Sequence, residues 1–323
     1  MVRVGVDETL SAAQLALFPA GAEMVRLPSK LMEDVAVEFR VLPYVRSASP
    51  DTCNRLQGLR VVQSMTAGVD AIVQWLPKDV VLCDGRGLHD ISASEWVLAG
   101  VLGWMKRMPV YRDMQREQRW RSAAMPMDGF LAEMDARVPQ YPIACEDLEG
   151  KTVLIVGYGS IGAAIEARMM PFGVEVVRVA RSARQEPLVH AVTELDALLP
   201  LADVVVLIVP ATEATRGMIG AREIARMKRG ALLVNAARGS VVVMDALVAA
   251  LREERIAAVV DVTDPEPLPV GHPLWSAPNC MITPHIGGAT PKLIERGVRL
   301  AAEQVRRYMA GEPLLNVVGA DGY

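Results

Sequence analysis

The run Val153-Leu154-Ile155-Val156 breaks directly into Gly157-Tyr158-Gly159-Ser160-Ile161-Gly162 and then into a helical stretch, so a strand, a G-x-G-x-x-G turn and a helix follow one another without a gap. That order predicts a dinucleotide site. Gly157 permits the tight turn, Gly159 lets the backbone approach a pyrophosphate, and Gly162 lets helix and strand pack closely. The amino end of the helix, Ser160-Ile161, then faces the phosphates, where unpaired N–H groups and the helix dipole favour negative charge.

The next strand-like stretch, 174–179, runs into Ala180-Arg181-Ser182-Ala183-Arg184. An NAD site usually has Asp or Glu about where Ala180 stands, accepting hydrogen bonds from the ribose hydroxyls. Here that acid is missing, and Arg181, Ser182 and Arg184 supply two cations and a hydroxyl, the groups a 2'-phosphate needs. The plain alternative is a set of solvated loop arginines. Loss of the acid together with gain of the bases favours NADP, with NAD still possible.

The 323 residues, 51% hydrophobic and 22% charged, suit two globular domains with a sizeable core. A net charge of -4 with no basic run disfavours nucleic acid and anionic membrane surfaces as partners. No apolar segment reaches the roughly 20 residues of a spanning helix. The chain opens at once into Val2-Arg3-Val4-Gly5-Val6, without the charged head and apolar stretch of a signal peptide, so a cytoplasmic location is expected. Cys53, Cys83, Cys145 and Cys280 are scattered, with no C-x-x-C and no His at ligand spacing. Buried free thiols and no metal are the expectation.

Short apolar runs at 2–6, 22–27, 37–42, 60–65 and 80–83 alternate with helical or turn-like stretches, which predicts a parallel sheet with helices on its faces. A helix over 92–105 follows, apolar on more than one side and hence buried, placed like a link between domains. A second alternation starts at Lys151 and continues through 174–179, 204–209, 232–235, 257–262 and 280–283; six strands headed by the glycine motif match a dinucleotide-binding domain. One more helix, about 291–310, closes the pattern. Between 115 and 149 neither period dominates, and the segment reads as irregular, an arm or a lid.

Three polar residues sit just past strand ends of the second alternation, where open α/β sheets bind ligands. They are Arg238 in Asn235-Ala236-Ala237-Arg238-Gly239, Glu266 in Asp264-Pro265-Glu266-Pro267, and His285 in Pro284-His285-Ile286-Gly287. A cation, an acid and an imidazole so placed suit reduction of an acidic carbonyl compound: the arginine grips a carboxylate and the histidine moves a proton. The glutamate would hold the histidine's other nitrogen and favour its protonated form. Taken singly, each has a duller reading, a turn glutamate or a surface histidine, as His89, His190 and His272 are expected to be.

With these motifs in this order, the chain resembles the D-isomer-specific 2-hydroxyacid dehydrogenases. The resemblance rests on 157–162, on Asn235 to Ser240, on Asp261 to Pro267 and on Pro284 to Thr290. It implies a flavodoxin-like substrate domain of residues 1–99 plus 289–323 and a Rossmann nucleotide domain of 100–288, both doubly wound parallel-sheet α/β folds. It implies Arg238, Glu266 and His285 as catalytic residues and Thr66, Ala67, Gly68 and Arg238 as substrate contacts. Ala236, Ala237, Asp261 and Gly287 would join the glycine loop in holding the cofactor. Within the family the closest likeness is to NADP-dependent glyoxylate and hydroxypyruvate reductases; formate dehydrogenases carry Gln where Glu266 stands. The family's usual assembly, with the methionines and aromatics of 108–141, implies a homodimer with an arm. Family members that act as corepressors keep this fold, so a non-catalytic, cofactor-sensing binding protein is the alternative function. Two features depart from the pattern: a long 120–149 segment, and Tyr44 with Met65-Thr66, where the family adjusts substrate fit.

Overall fold

In a computed structural model, residues 1–28, 30–42, 50–118, 120 and 145–319 are described. The chain divides into two compact units, Met1–Asp90 with Ala289–Tyr323, and Ile91–Gly288.

The first unit is built on five parallel strands: β1 (Val2–Asp7), β2 (Ala22–Leu27), β3 (Phe39–Val41), β4 (Val61–Gln63) and β5 (Val81–Cys83). Their spatial order is β2-β1-β3-β4-β5, the flavodoxin-like arrangement. On one face Val4, Val6, Phe39, Val41 and Val61 pack with Val298, Ala301 and Val305 of the helix Leu293–Ala310. On the other, Leu27, Val62 and Leu82 join a separate apolar cluster. The helix buries Leu293, Gly297, Val298, Ala301, Ala302, Gln304 and Val305, the spacing of one apolar stripe, and stops at Gly311 with φ 67°, where glycine takes the left-handed conformation without a Cβ clash. Thus the last helix of the chain completes the core of the first unit.

A buried amide pair ties that helix to the sheet. Gln304 Nε2 donates to Gln63 Oε1 at 2.8 Å and to Leu315 O at 2.7 Å, while its Oε1 accepts from Leu315 N at 2.8 Å. Gln63 Nε2 in turn donates to Ser64 O at 2.7 Å and Asp84 O at 3.0 Å.

The second unit carries seven parallel strands: β6 (Thr152–Val156), β7 (Glu175–Ala180), β8 (His190–Ala191), β9 (Val204–Leu207), β10 (Leu232–Asn235), β11 (Ala257–Val260) and β12 (Cys280–Ile282). The order is β8-β7-β6-β9-β10-β11-β12, the nucleotide-binding arrangement extended by one strand. Sequence reading finds six of these; β8 is a two-residue edge strand, too short to leave a periodic signal. Every residue of β9, β10 and β11 is buried because apolar clusters cover both faces of the sheet. Two covered faces are the reason these strands read as continuous apolar runs.

The helix Asp90–Met105 lies on that sheet, which is why it groups with the second unit and the division falls at 90/91, not at 99/100. A Cβ at Gly100 would come within 2.8 Å of Val259 Cγ1, so the helix sits close over β11. A helix Met108–Arg116 extends into the start of the stretch read as irregular; residues 121–144, with most of that stretch, lie outside the described residues, as does Tyr44. The cysteines depart from expectation in part. Cys53 and Cys83 are buried, but Cys145 is exposed and Cys280 half-buried. Burial pushes the Cys83 and Cys280 thiols up to about 12, which keeps them protonated and unreactive at neutral pH. Among the described residues, no helix is long and apolar enough to cross a membrane, and no group of three or more His, Cys, Asp or Glu could hold a metal ion.

Replacing Gln304 by Leu strands the Leu315 backbone groups and the Gln63 carbonyl. Buried groups left unsatisfied cost about 1–3 kcal/mol each. The urea unfolding midpoint should fall by the equivalent of about 3 kcal/mol; an unchanged midpoint would show that the amide pair contributes nothing.

Candidate active site

The glycine loop leaves β6 with Gly157 at φ 109°. A Cβ there would meet Ile208 C and O at 2.6 Å and Val209 N at 2.7 Å, so both the conformation and the closeness of the β9 loop require glycine. Gly159 caps the helix Ser160–Met169 with no side-chain cap bond. Nothing lies within 4 Å of where its Cβ would be. The open space in front of a helix amino end is the cradle a pyrophosphate occupies, and the chain therefore fits a dinucleotide here. Gly162 packs back on the turn, its Cβ position 3.0 Å from Gly157 O.

Tyr158, between the glycines, anchors a charged cluster that sequence reading did not find. Its hydroxyl donates to Glu166 Oε2 at 2.5 Å, and Arg178 of β7 donates to the same oxygen at 2.7 Å. The guanidiniums of Arg178 and Arg184 lie 5.5 Å and 5.6 Å from the Tyr158 ring centroid, within cation–π range. Arg184 also donates to the Tyr158 carbonyl. The hydrogen bond from Arg178 holds the Glu166 carboxyl below its usual range, while burial, with Glu166 beside it, pushes the Tyr158 phenol up. One signal was available: Arg178 is a charge between the valines of a strand-like run, Val176-Val177-Arg178-Val179. Arg181, Ser182 and Arg184, past the end of β7, are all exposed.

Arg238 follows β10. Asn235 shapes its loop by accepting from Ala237 N at 3.1 Å and donating to Arg238 O at 3.1 Å. Arg238 Nη1 donates to Ala237 O at 2.9 Å. The next residue, Gly239, is pressed against the loop after β11; a Cβ would fall 2.0 Å from Thr263 C and O. No side chain fits there, and the close approach joins the loop bearing Arg238 to the one bearing Glu266.

The loop after β12 carries His285, whose φ is 56°. Its Nδ1 is 2.6 Å from Glu266 Oε1, both side chains about one-third exposed at 34% and 36%. The structure thus brings together the histidine and glutamate singled out from sequence, a half-buried imidazole with Nδ1 engaged by a carboxylate. Asp261, at 5% exposure, turns inward: Oδ1 accepts from Ile286 N at 2.8 Å and Thr283 Oγ1 at 2.6 Å, and Oδ2 from Gly287 N at 2.7 Å. Among the other histidines, His190 pairs with Glu194 at 2.9 Å and His272 accepts from Leu274 N.

Thr66, Ala67 and Gly68 belong to the first unit, past the end of β4. Ser64 Oγ accepts from Thr66 N at 3.0 Å, Thr66 Oγ1 donates to Gly68 O at 2.9 Å, and Gly85 N donates to Thr66 O at 2.8 Å. The loop is a compact backbone turn braced from β5.

A nucleotide-binding sheet with a Gly-rich helix start and a paired histidine and glutamate at its strand ends defines an NAD(P)-dependent oxidoreductase. Residues 98–287 match the D-isomer specific 2-hydroxyacid dehydrogenase, NAD binding domain. The chain is 44% identical over 244 residues to glyoxylate/hydroxypyruvate reductase B of Citrobacter koseri, covering 73% of this chain and 70% of that one. It is 38% identical over 187 residues to the chloroplastic/mitochondrial formate dehydrogenase of Arabidopsis thaliana, over 54% of this chain, and spans about half (48%) of that relative's length. Among solved structures, the NADPH-dependent glyoxylate/hydroxypyruvate reductase of Sinorhizobium meliloti in complex with NADP and sulfate superposes with a TM-score of 0.81 at 26% identity, with 100% of both chains covered. The chain belongs to the D-isomer specific 2-hydroxyacid dehydrogenase family.

Gly159→Ala separates cradle from scaffold. The new methyl meets no protein atom, so the unfolding midpoint should stay put, while NADPH affinity falls by about tenfold or more as the methyl fills the phosphate position. Unchanged affinity, by fluorescence titration, would remove the cradle.

Proposed function

We propose that the protein reduces a small 2-oxo acid, of the glyoxylate or hydroxypyruvate kind, to its 2-hydroxy acid with NADPH, in the D configuration where C2 is stereogenic. The observation that carries this reading is the 2.6 Å pairing of His285 Nδ1 with Glu266. When bound, the cofactor supplies the hydride. Arg238 holds the substrate carboxylate through paired guanidinium hydrogen bonds; Thr66, Ala67 and Gly68 are the substrate contacts that the family resemblance implies. His285 gives the proton from Nε2 to the carbonyl oxygen, and Glu266 orients the ring and stabilises its charge. The reaction consumes one 2-oxo acid, one NADPH and one proton. Formate oxidation is the reading the formate dehydrogenase relatives suggest, but loss of hydride from formate leaves carbon dioxide and calls for no proton donor. A paired His–Glu acid favours carbonyl reduction. A binding protein without catalysis finds no support among these relatives.

For NADP, Arg181, Ser182 and Arg184 receive the 2'-phosphate, with Ser160, Ile161, Ala236, Ala237 and Gly287 lining the remaining cofactor contact. The stacking of Arg184 on Tyr158 supports the assignment, because it holds a cation beside the glycine loop. A homodimer is proposed as well, supported by Met108, Tyr111 and Trp120, exposed by 60%, 38% and 96%; apolar groups in such a run call for cover.

Three outcomes are expected. NADPH absorbance should fall with glyoxylate or hydroxypyruvate as substrate, and His285→Ala should lower kcat by a factor of about 100 to 10,000 with NADPH binding retained; turnover near wild type in the variant would exclude His285 as the acid, and inert 2-oxo acids would exclude the function. The kcat/KM for NADPH should exceed that for NADH by about tenfold, the size of one solvent-screened charged hydrogen bond, and Arg181→Ala with Arg184→Ala should erode it through KM; equal use of NADH refutes the assignment. Light scattering should give twice the 35.0 kDa of one chain; a single-chain mass refutes the dimer.

A further inference from the structure

The loop that carries His285 is held from outside by one face of the helix Asp90–Met105. Ser92 and Trp96 stand one turn apart on that helix and so share a face. Ser92 Oγ donates to Gly288 O at 3.2 Å, and Trp96 Nε1 donates to Thr283 Oγ1 at 3.0 Å. Thr283 Oγ1 passes its own proton to Asp261 Oδ1 at 2.6 Å, and the Asp261 carboxylate receives the N–H groups of Ile286 and Gly287 at 2.8 Å and 2.7 Å. The indole ring also closes over Gly287: a Cβ there would lie 3.1 Å from Trp96 Cγ and 2.9 Å from Asp261 Oδ2.

Between these two fixed points lies His285, in a left-handed conformation at φ 56°. A residue with a Cβ adopts that region only when its surroundings over-determine it. The backbone hydrogen bonds from His285 N to Asp261 O at 2.7 Å and to Thr283 O at 3.0 Å hold one side; the Asp261 carboxylate holds the next two amides. The hydroxyl of Thr283 can donate only one proton. Because the indole N–H occupies its acceptor side, that proton is directed to Asp261. Trp96 thereby sets the orientation of the hydroxyl and, through it, of the carboxylate on which the His285 turn hangs.

We propose that Trp96 is a positioning residue for the acid: through Thr283 and Asp261 it locks the turn that presents the His285 imidazole to Glu266. The inference rests on the reading of His285 as the proton donor, and it adds a residue outside the strand-end motifs. Catalytic geometry is sensitive at this scale, a misplacement of about 1 Å costing on the order of 100-fold. Losing one of the several bonds that hold the turn should cost less.

The test uses the full-length protein and three variants. Trp96→Phe keeps an aromatic ring over Gly287 and removes only the N–H; Thr283→Val removes the hydroxyl; Thr283→Ser restores it. In Trp96→Phe, kcat for 2-oxo acid reduction should fall by roughly tenfold, with KM for the 2-oxo acid and the dissociation constant for NADPH within about twofold of wild type. Thr283→Val should fall at least as far, Thr283→Ser should return close to wild type, and the double variant Trp96→Phe/Thr283→Val should be no slower than Thr283→Val alone, since both act through one chain of bonds. Hydrogen exchange at the Ile286 and Gly287 amides, which needs no turnover, should quicken in Trp96→Phe and Thr283→Val. Unchanged exchange at those amides, or additive losses in the double variant, overturns the proposal. If the wild type reduces no 2-oxo acid, the functional reading fails, and hydrogen exchange alone then decides whether Trp96 holds the turn.

Discussion

The buried carboxylate of Asp261 is the constraint on which the rest of the site depends. It stands at the end of β11 with both oxygens engaged by the Ile286 and Gly287 amides and the Thr283 hydroxyl. A charge taken out of water is tolerated only when hydrogen bonds replace its hydration, so those amides have no inexpensive alternative partner. The loop after β12 is accordingly fixed in one shape, with His285 at its bend. Glu266 reaches the imidazole from the loop after β11, and Gly239 seats the Arg238 loop against the same segment. Three successive strand ends are thus locked together by one carboxylate and one missing side chain.

The cofactor end depends on a comparable economy. A G-x-G-x-x-G turn needs only backbone, but here its middle residue carries a ring that two arginines face. Glu166 neutralises Arg178 and accepts from the Tyr158 hydroxyl, so the ring cannot swing away without breaking a charge-assisted bond. Arg184 is held where the glycine loop meets the end of β7. This places a positive charge beside the helix amino end, whose own partial charge has the same sign; an anion is favoured twice over.

Much of this was legible in the sequence, for identifiable physical reasons. Parallel strands covered on both faces leave continuous apolar runs, so β6, β9, β10 and β11 stand out, and the glycine motif marks the first of them. His285, Glu266 and Arg238 are legible because a cation, an acid and an imidazole recur in the loops that follow such runs, where open α/β sheets bind ligands; singly, none of them would stand out. What escapes is what three dimensions supply. Strand β8 is two residues long. Trp96 looks like any aromatic residue in an apolar helix, and its hydrogen bond to Thr283 spans 187 positions of sequence. The role of Asp261 in bracing the turn was hidden for the same reason, since its partners lie beyond the next strand. Cys145, expected inside, is exposed.

In the proposed reaction the proton that His285 delivers reaches the carbonyl oxygen in the same step that consumes the hydride. Single-turnover oxidation of enzyme-bound NADPH by glyoxylate, timed in water and in deuterium oxide, tests it most directly. The transient should be slower in deuterium oxide, because the transferred proton is exchangeable and in flight; equal rates in the two solvents, with hydride transfer shown to limit the transient, would mean that no such proton moves in that step.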